Sequence, residues 1–373
     1  MKIGIITLHA SENFGSILQA FALQSYLNSK GHDAYIIDYT YTNDYKQYNL
    51  FYIAPGYFVK SLAKDILYFD RKRKRKKVFL DFSNSKLKKT NKSYYDNDDL
   101  SELNKEFDAF ICGSDQIWNP NCLKAIVPAF FLDFADDNKR KIAYAPSMPI
   151  DPGEKYYDQI KRLVNRLDYV SVREDISVNI LKERIGIRQD VINVCDPTLL
   201  LPGKFYIDLF DLHKQETSAL RNDYIFVYIL GDIGTSQNLI KEAINIQNKT
   251  HMPIYYVSNR KIREFVHNKN KYLLGIGPSE FLKFIYNSNA ILTDSFHATV
   301  FSILFEKRFI SFGRNESESR VKNLLSESGL MDHYGSDYSS ECLTKKIPYK
   351  TILRKIHLMR ENGERYLEKT LFS

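Results

Sequence analysis

The sequence predicts an α/β protein of two doubly wound, Rossmann-like parallel-sheet domains with a cleft between them. Three observations carry this. Short apolar runs alternate with helical segments along the chain instead of clustering by type. The runs are nearly continuous in apolar residues, as in IGIITL (3–8), FDAFICG (107–113) and YIFVYIL (224–230), which suits strands covered on both faces. The alternation lapses once, in a polar stretch near 200–222 with Pro202, Gly203, Lys214 and Glu216, and then restarts. A chain of 373 residues is also too long for one ordinary core.

The elements follow in order. IGIITL, a helix from about Ser16 to Ser29 closed by Gly31, and AYIIDY (34–39) make a βαβ opening. From Gly56 to Phe69, the residues Phe58, Val59, Leu62, Ala63, Ile66 and Leu67 recur at helical spacing, and a basic run, Arg71 to Lys77, follows. Then come FDAFICG, KIAYAPS (141–147), a helix near 156–166, YVSVR (169–173), another helix and DVINVCD (190–196). Residues 1–205 are taken as the first domain. The second, 222–345, carries strands YIFVYIL, PIYYVS (253–258), YLLGIG (272–277), AILTDS (290–295) and RFISFG (308–313), with helices near 235–248, 279–288 and 296–306. In the last stretch, 346–373, helical spacing of Ile352, Ile356, Met359 and Tyr366 predicts a helix that packs back on the first domain.

Composition narrows the function. Hydrophobic residues at 44% and charged residues at 26% describe a globular chain, and no window approaches the roughly 18 apolar residues of a membrane span. The opening MKIGIITLHA lacks the features of a secretory signal, so a cytoplasmic location is expected. Cys112, Cys122, Cys195 and Cys342 have no CxxC spacing, which speaks against a zinc knuckle or a disulfide framework, and no acidic cluster has metal spacing. Metal-independent chemistry is expected. The net charge of +8 favours anionic partners. An amphipathic helix with a basic extension over 56–77 suits peripheral contact with an anionic membrane, and equally suits a domain-packing helix with a solvated charged end. Without interleaved aromatics or a motif, the basic run gives no reason to expect nucleic acid.

Ligands of open parallel sheets bind beyond the carboxyl ends of the strands, which selects four turns. His9 to Ser16 follows the first strand, with Asn13 and Ser16 at a helix start able to meet an anion or a sugar hydroxyl, or simply to cap the helix. Cys112 to Pro120 offers Asp115 and Gln116 for sugar hydroxyls or a proton, and Trp118 for stacking on a pyranose; the plainer alternative makes Trp118 a core anchor and Asp115 a turn former. Arg173, leaving a strand, offers a fork to carboxylate or phosphate, or pairs with Glu174 or Asp175. Thr293 to Thr299 sets Ser295, Phe296 and His297 at a helix start.

FDAFICGSDQIWNP, SVREDIS, CDPT, PSEFLKFIYNSNAILTDSFHATVFSILFEKRFISFG and NFGSILQAFALQSYL together resemble the polysaccharide pyruvyl transferase family from about residue 3 to residue 330. The resemblance implies a GT-B-like fold, no cofactor, and transfer of the enolpyruvyl unit of phosphoenolpyruvate to two hydroxyls of one sugar, on a cell-surface polysaccharide or its lipid-linked precursor. It implies a donor site at Arg173, Ser295, Phe296 and His297. Where relatives often carry an arginine two residues before the histidine, this chain has Ser295, with Arg320 or Arg314 as replacement cations; Ala298 and Ser16 also depart from the family's pattern. His297 is assigned as proton donor or phosphate partner and Asp115 as base, with Asn13, Ser16, Gln116 and Trp118 on the acceptor side. Two other readings stand beside this one. One is a GT-B nucleotide-sugar glycosyltransferase using Glu306, Glu316 or Glu318, and the other an inactive binding protein of a polysaccharide pathway.

Overall fold

The computed structural model describes residues 1–41, 58–96, 98–213, 223–266, 269–314, 318–335 and 346–372, and for 58–69, 71 and 72 only the secondary structure. The chain divides into two compact units, Met1–Leu200 with Met359–Ser373, and Leu201–Leu358.

In the first unit, β1 (Lys2–Ile6) and β2 (Asp33–Ile36) flank the helix Phe14–Ser29, and a two-residue ladder joins β3 (Tyr39–Thr40) to β4 (Tyr94–Tyr95). With β5 (Ala109–Cys112), β6 (Arg140–Ala143), β7 (Tyr169–Val172) and β8 (Val191–Asn193), β1 and β2 form a six-stranded sheet of order β2-β1-β5-β6-β7-β8, parallel throughout. The apolar runs that predicted these strands are buried because helices cover both faces: Ile3, Ile5, Phe110, Ile111 and Ile142 are fully inaccessible.

The helical spacing after Gly56 and the basic run after it belong to one helix, Phe58–Lys86. Within it Arg75 turns inward. Its guanidinium meets the Glu12 carboxylate at 3.3 Å, donates to Glu12 O at 2.7 Å and lies over the rings of Phe14 and Phe79. Arg73, Lys74 and Lys77 are exposed. Among the described residues no helix is long and apolar enough to cross a membrane.

The chain ends in the helix Tyr349–Phe372, whose part from Met359 belongs to the first unit. Tyr366 donates to Ala143 O (2.9 Å) and Arg360 to Leu199 O (2.8 Å). Gly363 is required there, since a Cβ would stand 2.6 Å from the Tyr144 hydroxyl.

His32 packs on Phe372 in this region, with ring centroids 5.3 Å apart, and neither ring nitrogen meets a hydrogen-bond partner among the described residues. Burial, then the N-terminal ammonium, lowers its pKa below the ordinary histidine value. The neutral ring is therefore the folded form, and its contribution to stability, present above about pH 6.5, is lost as pH falls through the lowered value. His32→Leu is expected to stabilise the fold by about 1 kcal/mol at pH 7, and by more at pH 5. Thermal melts at the two pH values check this; a variant that melts below the wild type at both is the contrary result.

The second unit holds a five-stranded parallel sheet of order β11-β10-β9-β12-β13, from β9 (Ile225–Tyr228), β10 (Ile254–Val257), β11 (Lys271–Tyr272), β12 (Ala290–Thr293) and β13 (Phe309–Ser311). Three helices, Gln237–Thr250, Pro278–Asn287 and Phe296–Leu304, occupy the segments expected to be helical. The run YLLGIG yields only one strand residue, Tyr272, because Gly275 takes a positive φ of 88° and Gly277 already caps the next helix. The polar stretch after residue 200 is not a bare linker. It contains the helix Gly203–Leu209, which packs so closely that a Cβ on Gly203 would meet Leu304 O at a separation no side chain tolerates, and Tyr206 sits edge-on to Phe301 at 5.1 Å. Lys214 and Glu216 lie outside the described residues.

Candidate functional site

Strand order reverses between β1 and β5 in the first sheet and between β9 and β12 in the second. Ligands of doubly wound sheets bind outside the carboxyl ends of the strands at such points. Polar side chains gather at both.

In the first unit Asp115 follows β5 with φ of +73°, in the left-handed region that Asp and Asn tolerate better than other side chains. It is held there by a bridge to Pro146 and by Ser147 N donating to its carbonyl (2.8 Å), beside Ala145, which also has a positive φ, 57°. Two non-glycine residues in this region on adjacent turns mark stored strain of the kind that clusters at functional sites. Ser16 Oγ donates to Asp115 Oδ2 at 2.5 Å, and Gln116 N donates to Oδ1 at 2.9 Å. Ser16 and Asp115 thus meet across the switch point.

Their neighbours serve the fold. Asn13 caps the helix Phe14–Ser29, its Oδ1 accepting from Gly15 N (2.9 Å) and Ser16 N (3.4 Å). Gln116 Oε1 accepts from Asn119 Nδ2 at 2.8 Å. Trp118 is corrected from a stacking platform to a core anchor: it is 1% exposed, stacks on Phe131 at 4.9 Å and 3°, and donates from Nε1 to Phe130 O. A pyranose cannot reach a ring so enclosed. Gly113 makes room for Thr7, whose Cβ would lie 3.0 Å from an added methyl.

Arg173 is likewise corrected as a donor cation. Its Nε donates to Glu174 Oε1 and its Nη1 to Asp196 Oδ2, both at 2.8 Å, with all three side chains buried. Ser147 and Ser177 donate to Glu174, and Ser114, Thr198 N and Thr198 Oγ1 to Asp196. Burial works against the charge on Arg173, but Glu174, Asp196 and Asp115 outweigh it and raise its pKa. One guanidinium among three carboxylates is a poor place for a further anion. It ties the turns after β5, β7 and β8 together instead.

In the second unit a cavity of about 190 Å³ opens at the switch point. Thr235 and Ser236, just before the helix Gln237–Thr250, and Asn238 in its first turn line it, and Arg314 and Tyr334 line it from the segments after β13. Asp294, at the end of β12, accepts from Leu230 N (2.7 Å), Gly231 N (2.9 Å) and Ser236 Oγ (3.3 Å). Gly231 permits this convergence, since a Cβ there would stand 2.7 Å from Asp294 Oδ2 and 2.8 Å from Arg314 Cδ. Ser295 caps the helix Phe296–Leu304. His297, in its first turn, is buried and edge-on to Phe296 (5.2 Å, 87°). Neither it nor Arg320, buried in the helix Glu318–Ser328, lines the cavity. Glu316 lies outside the described residues, and among those described no three His, Cys, Asp or Glu side chains are arranged to hold a metal.

The sequence singled out Asp115, Ser16 and Arg314 and offered Glu174 as a partner of Arg173, but it gave no role to Asp196 or Asp294. Each is an acidic residue beside a singled-out one, and the apolar strand before it was the available signal.

Two parallel sheets of Rossmann type, each with polar groups at its switch point, define a GT-B-like α/β protein. The solved UDP-GlcNAc 2-epimerase from Methanocaldococcus jannaschii is similar over 100% of both chains, with 13% identity and a TM-score of 0.55. Arabidopsis thaliana UGT89C1 complexed with quercetin is similar over 99% of both, with 11% identity and a TM-score of 0.50. No curated protein matches the sequence. The model of the polysaccharide pyruvyl transferase family matches residues 13–316, and the chain belongs to that family.

Proposed function

We propose that this chain is a ketal pyruvyltransferase that moves the enolpyruvyl unit of phosphoenolpyruvate onto two hydroxyls of one sugar, in a cell-surface polysaccharide or its lipid-linked precursor. Family membership supports pyruvyl transfer. The observation that carries the choice of donor is the cavity of the second unit. At about 190 Å³ it falls below the usual span of small-molecule sites, about 300–1,000 Å³, which favours a compact anion over a nucleotide sugar. A helix N-terminus and Arg314 supply the N–H groups and positive charge that carboxylate and phosphate require.

The reaction balances without a redox step. The methylene carbon of phosphoenolpyruvate takes a proton and becomes a methyl group, and the first sugar hydroxyl bonds to the neighbouring carbon, giving up its proton. Phosphate leaves with the electrons of the broken C–O bond, and the second hydroxyl closes the ketal, its proton going to base and then phosphate. Asp115, oriented by Ser16, is the base that takes the hydroxyl proton. His297 lies outside the donor cavity, so the role of proton donor or phosphate partner expected for it is not kept. Arg314 replaces Arg173 as the donor's cation.

Calorimetry is expected to show binding of phosphoenolpyruvate in preference to UDP- and GDP-sugars, weakened about tenfold or more in Arg314→Ala and retained in Arg173→Lys. Binding of nucleotide sugars alone would move the chain to the glycosyltransferases.

A further inference from the structure

The first unit contains another cavity, of about 320 Å³, lined by the loop after β1, the end of β2, the β3/β4 ladder and the helix Phe58–Lys86. It uses none of the groups assigned above. At its wall Asp38 accepts from His9 Nε2 (2.9 Å) and Ser93 Oγ (2.8 Å) and faces Lys89 Nζ at 3.4 Å. The other ring nitrogen of His9 meets Thr7 O at 3.1 Å. Burial alone would raise the Asp38 pKa, but His9, Ser93 and Lys89 hold it well below the usual carboxylate range. The carboxylate is thus a fixed acceptor.

Charge in the cavity is close to balanced, with Lys76 and Lys89 against Glu12 and Asp38, so it is not an anion trap. Ser11 lines it at 5% exposure, and its hydroxyl finds no hydrogen-bond partner among the described residues. A buried hydroxyl left so costs free energy that a ligand hydroxyl can recover. Tyr95, largely exposed, adds an aromatic face. Fixed acceptors, lysine donors and an aromatic wall together match a polyhydroxylated ring of no net charge.

We propose that this cavity binds one sugar ring of the acceptor saccharide, its hydroxyls meeting Ser11, Asp38 and Lys89 beside Tyr95. The proposal deepens the pyruvyltransferase reading and rests on its saccharide acceptor. Saturation-transfer NMR on the full chain, with the methyl glycosides of glucose, galactose, mannose and N-acetylglucosamine as probes, tests it. The wild type is expected to saturate at least one glycoside, and Ser11→Ala and Tyr95→Ala each to weaken that binding about tenfold. Ser11→Ala removes a hydroxyl with no partner in the described fold and Tyr95 is exposed, so both variants keep the wild-type melting temperature. No transfer to any glycoside, or wild-type affinity in Ser11→Ala, overturns the proposal. Calorimetry with phosphoenolpyruvate separates the two readings: donor binding without glycoside binding removes this site and leaves pyruvyl transfer standing, and glycoside binding without donor binding does the reverse.

Discussion

Asp115→Asn is expected to lower the rate of ketal formation about 10²- to 10⁴-fold while leaving the affinity for phosphoenolpyruvate near that of the wild type. Asparagine suits the test because it tolerates the positive φ at this position, and its amide oxygen can still accept from Gln116 N while its amide nitrogen donates to Ser16 Oγ, so both contacts are kept and the proton-accepting charge is lost. Ser16→Ala should show a smaller loss of the same kind, since it frees the carboxylate to turn without removing its basicity. Single-turnover rates with a competent acceptor check both. Full activity in Asp115→Asn would remove the base from this turn.

Arg173→Ala is expected to destabilise the fold by about 3–5 kcal/mol, because it strands Glu174 and Asp196 as buried carboxylates facing no countercharge from that position. Arg173→Lys should recover part of the loss: an ammonium keeps the charge but not the fork that serves two acids at once. Urea unfolding measures the difference. A variant with wild-type stability and lost phosphoenolpyruvate affinity would return Arg173 to the donor site.

The turns at the strand ends were legible because a doubly wound sheet puts its working residues there whatever its sequence. Asp115 and Ser16, which meet at 2.5 Å, both lie in such turns. Which side chains in those turns face a ligand was not legible. Trp118 and Arg173 are the residue types most often chosen for sugar stacking and anion binding, and the same size and charge make them equally good at anchoring a core and neutralising buried acids. The sequence offered both roles for each, and the structure chose the structural one because Phe131 and the Phe130 carbonyl, and Glu174 and Asp196, come from elsewhere in the chain. Asp294 went unnoticed for a related reason. Its partners, Leu230 N, Gly231 N and Ser236 Oγ, lie about sixty residues away.

By itself the sequence determined the fold class, the parallel strands and the family. Periodicity and continuous apolar runs are local properties that fix which segments are buried on both faces, and an ordered set of motifs survives any uncertainty in packing. Only the tertiary structure decided where the first unit ends, which cations are already neutralised, and that Arg314 and not Arg173 lines the second unit's cavity. Those are questions of which distant groups meet, and a buried charge takes its role from its partners.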